Sequence, residues 1–322
     1  MGLRLSVQRR AWRAHLAAVA ARTPGLVPVV KGNGYGFGRN TLMAIAAEHT
    51  VRDGQIAVGT VYEAADVPAD RTALVLTPHL GRIPGDVQGS AILTVGDLRH
   101  VEALAAQGWR GRVALKLESS MRRHGAEPQH LAGLAAAVAH AGATTDGYVL
   151  HLPLGGDDAD RLDEIVTWLP HLDPSLPISV SHLTNETYTR LIAAHPAFQW
   201  RMRLGTVLWL SDKQLMHLSA DVLAVKAVEG GSVAGYRAVV VPADGHIVLA
   251  AAGSAHGVRA HADGRSPFHF ARTRIAMLED PHMHTTMLFV PNGEPLPTIG
   301  DRLDVQRPLI TITVDELMWT DD

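Results

Sequence analysis

The sequence predicts a (β/α)8 TIM-type barrel joined to an all-β domain. Two observations carry this reading. Short apolar segments alternate with longer amphipathic ones through the first two thirds of the chain, and after Ser211 the helical period stops. Short apolar strands between amphipathic helices are βα units, whose crossovers force parallel pairing.

The strand-like segments lie at 27–31, 56–60, 73–77, 92–95, 113–118, 147–152, 178–182 and 200–204. Helical patterns fall between them at 41–49, 97–106, 131–141, 160–169 and 187–195. Eight units in succession favour closure into a barrel; an open doubly wound sheet is the main rival and does not need eight. Beyond residue 216 the strand-like segments 222–228, 238–242, 246–251, 285–290, 302–306 and 311–314 are separated by Gly, Pro and Asp turns. Residues 3–8 alternate in the same way. The expected division is a barrel over 10–215 and a β domain over 216–322, with 1–9 joining the latter.

Composition narrows the function. The chain has 322 residues, 47% hydrophobic and 19% charged, with a formal net charge of -3. No basic run or field of that size points to nucleic acid or to a membrane surface. With no cysteine, disulfides, thiolate zinc sites and cysteine nucleophiles are excluded. The apolar stretch 12–21 is broken as a signal core by Arg10, Arg13 and His15 around it. A cytoplasmic enzyme is the expectation.

In a barrel, reacting groups come from the C-terminal ends of strands. Lys31 ends the first strand and opens Gly32-Asn33-Gly34-Tyr35-Gly36-Phe37-Gly38. Alternating glycines let backbone pass close to a ligand. Phe37 stands where a dinucleotide motif needs its last glycine, and the run is not a P-loop. A strand-end lysine beside such a loop fits an amine nucleophile near a phosphate group; the plain alternative is a surface lysine. Only Lys31, Lys116, Lys213 and Lys226 stand against twenty-five arginines. Lys213 reads as a solvated lysine between domains and Lys226 as a snorkelling strand residue.

The segment Val29–Gly38 resembles the lysine segment of alanine racemases, VVKANAYGHG. Four later segments resemble that family in order. Leu115-Lys116-Leu117-Glu118-Ser119-Ser120-Met121-Arg122-Arg123-His124-Gly125 is similar to LKVDTGMGRLG. Ser181-His182-Leu183-Thr184-Asn185 is similar to HxANS, Met202-Arg203-Leu204-Gly205-Thr206 to VRPGI, and Gly231–Tyr236 to GEKVSYG. His151 follows a strand as the family's barrel histidine does. The likeness spans nearly the whole chain.

The resemblance implies pyridoxal 5'-phosphate (PLP), held by Lys31 as an internal aldimine. Tyr35 would meet its phosphate, with backbone N–H groups near Gly205 and Thr206; Asn185 joins this set. Arg203 would face the pyridine nitrogen, which then stays unprotonated because arginine gives up no proton. His151 and His182 would lie around the ring, although a satisfied core histidine is the ordinary alternative for each. Arg123 and Met283 would contact substrate. Lys116 matches the lysine that can carry a carbamate and orient Arg123; pairing with Glu118 is the alternative. Racemisation needs a proton acceptor and donor on opposite faces of a planar centre, and Lys31 and Tyr236 would fill those roles. In the family the tyrosine comes from the partner subunit, which implies a head-to-tail homodimer.

Four departures stand against this. Glu186 occupies a phosphate-binding serine's place, and a carboxylate repels phosphate unless it turns away. Ser254 replaces an active-site tyrosine in Gly253-Ser254-Ala255-His256-Gly257. His282-Met283-His284 stands for the family's SMD, and no late phosphate-reaching tyrosine is found before Asp322. They imply that alanine is a poor substrate. Two rivals follow. Alternating histidines 282 and 284 on one strand face would suit zinc in a metal-assisted PLP lyase acting on a D-3-hydroxy amino acid, as in D-threonine aldolases and D-serine dehydratases, which resemble this fold. The other rival is a non-catalytic PLP-binding protein. No metal is assigned.

Overall fold

A computed structural model describes residues 1–87 and 89–321. The chain divides into two compact units, His15–Gly32 with Arg39–Trp209, and Met1–Ala14 with Asn33–Gly38 and Leu210–Asp322.

The first of these is an eight-stranded parallel barrel. Its strands are β1 (Leu26–Pro28), β2 (Gln55–Val58), β3 (Thr72–Val75), β4 (Ile92–Val95), β5 (Arg112–Leu117), β6 (Thr144–Leu150), β7 (Ile178–Ser181) and β8 (Trp200–Leu204). Each pairs in parallel with the next from β2 to β8, and β8 pairs with β1 through Leu26↔Met202, Val27↔Arg203 and Pro28↔Leu204. The remaining seam closes by the parallel bridge Val29↔Ala57 and by Val30 N–H donating to the Ala57 carbonyl at 2.8 Å. Closure leaves no sheet edge exposed. Val27, Val29, Ala57, Leu74, Ile92, Ala114 and Val149 form one buried cluster from β1 through β6 and the residue after β1. Each Val, Leu or Ile among them contributes about 1.5–3 kcal/mol on leaving water.

Helices α1 (Arg9–Ala21), α2 (Arg39–Glu48), α3 (Leu98–Ala106), α4 (Pro128–His140), α5 (Asp158–Trp168), α6 (Asn185–Ala194) and α7 (Thr206–Leu210) complete the helical complement. Asp97 caps α3 by accepting from the Arg99 N–H, and Asp157 caps α5 by accepting from Asp160 N–H. Such caps satisfy backbone donors that a helix start leaves unpaired. The arginines that break α1 as a signal core are ordinary solvent-face residues of an amphipathic helix, whose Trp12 and Leu16 are buried.

The second unit is built on a mostly antiparallel sheet around the 13-residue strand Met216–Val228, which pairs with Leu3–Gln8, Gly245–Ala250 and Arg302–Val305. Leu3–Gln8 also pairs in parallel with Glu316–Thr320. The strand expected at 311–314 is absent. Leu309–Thr311 forms a 3-10 turn instead, and the pairing strand follows at Glu316–Thr320. A second correction concerns 282–284, which lies in an irregular stretch before strand Thr286–Pro291 and not on a strand face. Within this unit Trp12 stacks on Phe37 at 4.9 Å, and both approach Trp319. No helix among the described residues is long and apolar enough to cross a membrane.

Candidate active site

Four cationic side chains gather at the C-terminal end of the barrel strands. Lys31 follows β1, Lys116 lies in β5, Arg123 in the loop after β5, and Arg203 in β8, directly beside Val27 of β1. Arg203 is buried and donates through one terminal nitrogen to the Ser179 carbonyl and, at 2.8 Å, to Ser179 Oγ; the other donates to the Leu150 carbonyl at 2.6 Å. These bonds fix the guanidinium plane. Its Nε has no hydrogen bond among the described residues, which leaves a donor for a ligand acceptor. Burial pulls the Arg203 pKa down to about 9, so it remains charged at neutral pH.

Lys116 is buried and has neither a hydrogen bond nor an ion pair among the described residues, so the expected alternative of pairing with Glu118 is not found. Burial, then Arg203 and Arg123, lower its pKa to about 6. The Lys31 side chain stays open to solvent at the strand end. Partial burial lowers its pKa, Arg123 and Arg203 add to the effect, and Glu63 opposes them. Arg123 is exposed and has no ion pair among the described residues.

Two histidines meet on the neighbouring strand ends. His151, after β6, and His182, after β7, place their rings 4.9 Å apart edge to face. Ser181 Oγ lies 3.0 Å from His151 Nδ1. Burial followed by Arg203 lowers the His151 pKa to about 2 and the His182 pKa to about 4, so both rings are neutral near pH 7. His182 holds a left-handed φ of 64°, a strained conformation for a non-glycine residue and one common at functional sites. The loops carrying the two rings are tied together by α5. Arg161 donates to the carbonyls of Pro153, Leu154 and Gly156 and pairs with Asp158 at 3.0 Å, while Asp158 accepts from Thr184 N–H at 2.9 Å.

Asn185 and Glu186 open α6 on the exposed side. Asp158 and Glu186 therefore make that helix start negative. Gly205 precedes and Thr206 opens α7, whose first turn holds no acidic residue.

The remaining expected residues belong to the second unit. Tyr35 is buried and has φ 54°. Tyr236 is 87% exposed and Met283 is 67% exposed. The Tyr236 ring lies 4.4 Å from that of His282, and its backbone N–H donates to Glu279 at 3.0 Å. His282 Nε2 lies 2.6 Å from Glu279 Oε1, and the His284 ring stands 5.9 Å from that of His256. The two histidines thus have separate partners, and among the described residues no three His, Cys, Asp or Glu side chains group to hold a metal. Ser254 Oγ donates to the His282 carbonyl.

Sequence reasoning missed Glu63, Ser181 and the Arg161–Asp158 tie. Only Glu63 carried a signal: Thr60-Val61-Tyr62-Glu63 has the spacing of a capping box, and the Glu63 carboxylate accepts from Thr60 N–H at 3.3 Å.

Fold and site define a barrel enzyme of the PLP-dependent isomerase class. Residues 7–212 match the alanine racemase N-terminal domain, and the chain belongs to that family. An alanine racemase from Alcanivorax borkumensis is 28% identical over 289 residues, covering 83% of this chain and 80% of that protein. The crystal structure of alanine racemase from Bartonella henselae with covalently bound pyridoxal phosphate superposes with a TM-score of 0.75 at 16% identity, over 99% of this chain and 100% of that one. That of the alanine racemase from D-cycloserine-producing Streptomyces lavendulae gives 0.71 at 20% identity, over 100% and 98%. The family's cofactor is PLP, and the cationic, carboxylate-poor cluster with its spare Arg203 donor fits a molecule carrying a phosphate, a phenolic oxygen and a ring acceptor.

Proposed function

We infer that this chain is a PLP-dependent amino-acid racemase in which Lys31 and Tyr236 exchange the Cα proton from opposite faces. The observation that carries the reading is Lys31 at the end of β1 beside the buried, fixed guanidinium of Arg203 on β8. PLP, when bound, withdraws electron density from the Cα–H bond of an amino acid attached to it.

The chain's own residues do the rest. Lys31 binds the cofactor, and its lowered pKa leaves more free amine than an ordinary lysine at neutral pH. Arg203, charged at neutral pH, would hold the ring nitrogen of PLP without passing it a proton. An arginine in that place would favour brief proton removal and return at Cα over longer carbanion chemistry. His151 and His182 stay neutral around the ring. Tyr35, Gly205 and Thr206 hold the phosphate, with Asn185 at the margin and Glu186 turned outward. Arg123, which has no ion pair among the described residues, takes the substrate carboxylate, and Met283 is a further substrate contact. Lys116, buried among arginines and largely unprotonated at neutral pH, is suited to react with carbon dioxide; the resulting negative charge would sit against Arg123.

Tyr236 of the partner subunit supplies the second face in a head-to-tail homodimer, which agrees with its high exposure in the single chain. The substrate is an amino acid or a derivative of one, with alanine expected to be turned over poorly because Ser254, Glu186 and His282 alter the family pattern.

The test is a panel of L- and D-amino acids in D2O, followed for Cα deuteration by NMR. Both enantiomers of at least one amino acid should exchange, and Tyr236→Phe should lose about 10²–10⁴-fold while PLP stays bound. Absence of exchange with every amino acid refutes turnover. Exchange of one enantiomer, insensitive to Tyr236→Phe, refutes the two-face mechanism.

A further inference from the structure

The barrel closes where β1 meets β2, and one carboxylate spans that seam. Glu63 lies in the 3-10 turn Val61–Asp66 after β2 and is buried. Its Oε1 accepts from Gly32 N–H at 2.8 Å, the residue that follows Lys31. Its Oε2 accepts from Gly59 N–H at 2.6 Å and Thr60 N–H at 3.3 Å. Arg39 closes the group from α2, pairing with Glu63 at 3.7 Å and donating to the Gly32 carbonyl at 3.3 Å. A second contact shows how close the packing is. A Cβ on Gly59 would stand 3.0 Å from Glu63 Oε2 and 3.4 Å from Lys31 Cβ.

We propose that Glu63 is the positioning residue of Lys31: its carboxylate fixes the backbone at Gly32, and so the direction in which the lysine leaves the strand end. This rests on the reading of Lys31 as the cofactor-binding amine. Hydrogen bonds from backbone N–H to an ionised carboxylate are the strong kind, and three of them converge here from two strand ends. The charged and titratable groups facing Lys31 are Arg123 from the loop after β5, Arg203 from β8, His182 after β7 and Glu63 itself. Burial, Arg123 and Arg203 all favour the neutral amine; Glu63 favours the charged one. Glu63 therefore opposes the lowering of the Lys31 pKa by burial and by the two arginines while holding the chain at the strand end.

The experiment uses the full chain freed of cofactor. Lys31 acylation by an amine-selective reagent is followed across a pH series by peptide mass. In Glu63→Gln the pH midpoint of Lys31 labelling should move lower, and PLP affinity should fall about tenfold, the scale of one lost charge-assisted hydrogen bond. Glu63→Asp keeps the charge but withdraws it. It should hold the midpoint close to wild type while still weakening PLP binding, and it carries the test if Glu63→Gln does not fold. A purely structural carboxylate would lower melting temperature without moving the midpoint. A Lys31 midpoint that Glu63→Gln leaves in place overturns the proposal. The labelling contains no cofactor, so this failure is distinct from the failure of borohydride to trap PLP on Lys31, which would overturn the cofactor reading.

Discussion

Lys116 is buried, and among the described residues no opposite charge offsets its burial. Its pKa falls from 10.5 in the unfolded chain to about 6 in the folded one. Between those values the unfolded state holds a proton that the folded state has lost, so this group's contribution makes stability rise with pH from about 6 towards 10.5. Below about pH 6 the full penalty applies. Lys116→Met should therefore stabilise the cofactor-free protein at pH 7. It should also flatten the pH dependence of unfolding free energy between pH 7 and 9 by about 1.4 kcal/mol per pH unit. Urea titrations of both proteins, in buffers stripped of carbon dioxide, measure the difference. Parallel curves for the two proteins would mean that Lys116 is charged in the native state. Lys31 was legible in the sequence because it ends a strand beside a Gly-rich run and lysines are few, whereas Lys116 and Arg203 were marked by the resemblance of their segments to alanine racemases. That no carboxylate among the described residues pairs with Lys116 was not legible, because Glu118, two residues on, looked like its natural partner.

At the scale of elements, the turn after β5 shows how backbone places chemistry. Gly125 has φ 134°, and a Cβ there would stand 2.3 Å from Glu118 N and 2.5 Å from the Leu117 carbonyl oxygen. The return of the chain at this point brings the parallel bridge Leu117↔Ala126 into register and holds the loop that carries Arg123. Gly125→Ala should cost about 3 kcal/mol through combined strain and overlap. Gly133 in α4 is its control, because a Cβ there meets nothing within 4 Å, and Gly133→Ala should stabilise by up to about 1 kcal/mol. Thermal melts of the pair that moved in the same direction would refute the assignment of Gly125 as a constrained position. The barrel strands were readable because buried parallel strands are continuous apolar runs. The last strand was misplaced because Ile310, Ile312 and Val314 alternate as a strand would, yet Pro308 opens a 3-10 turn at Leu309–Thr311 and pairing begins only at Glu316. The alternation of His282 and His284 misled in the same way, since two letters cannot distinguish a strand face from a loop whose histidines have separate partners.

At the scale of the whole molecule, the proposed chemistry and the proposed assembly meet in one requirement: Lys31 and Tyr236 of each active site come from different subunits. Isologous pairing of two copies produces two such sites, each needing one residue from either chain. The most direct test mixes Lys31→Ala with Tyr236→Phe under conditions that let subunits exchange, and follows Cα deuteration of the best substrate by NMR. Each parent should be nearly inactive. Half of randomly reassociated dimers carry both variants, and each of those has one intact site, so the mixture should recover about a quarter of wild-type exchange. Recovery of that size is the result the account predicts; a mixture no more active than its parents, in a protein whose wild-type form exchanges the proton, would contradict it.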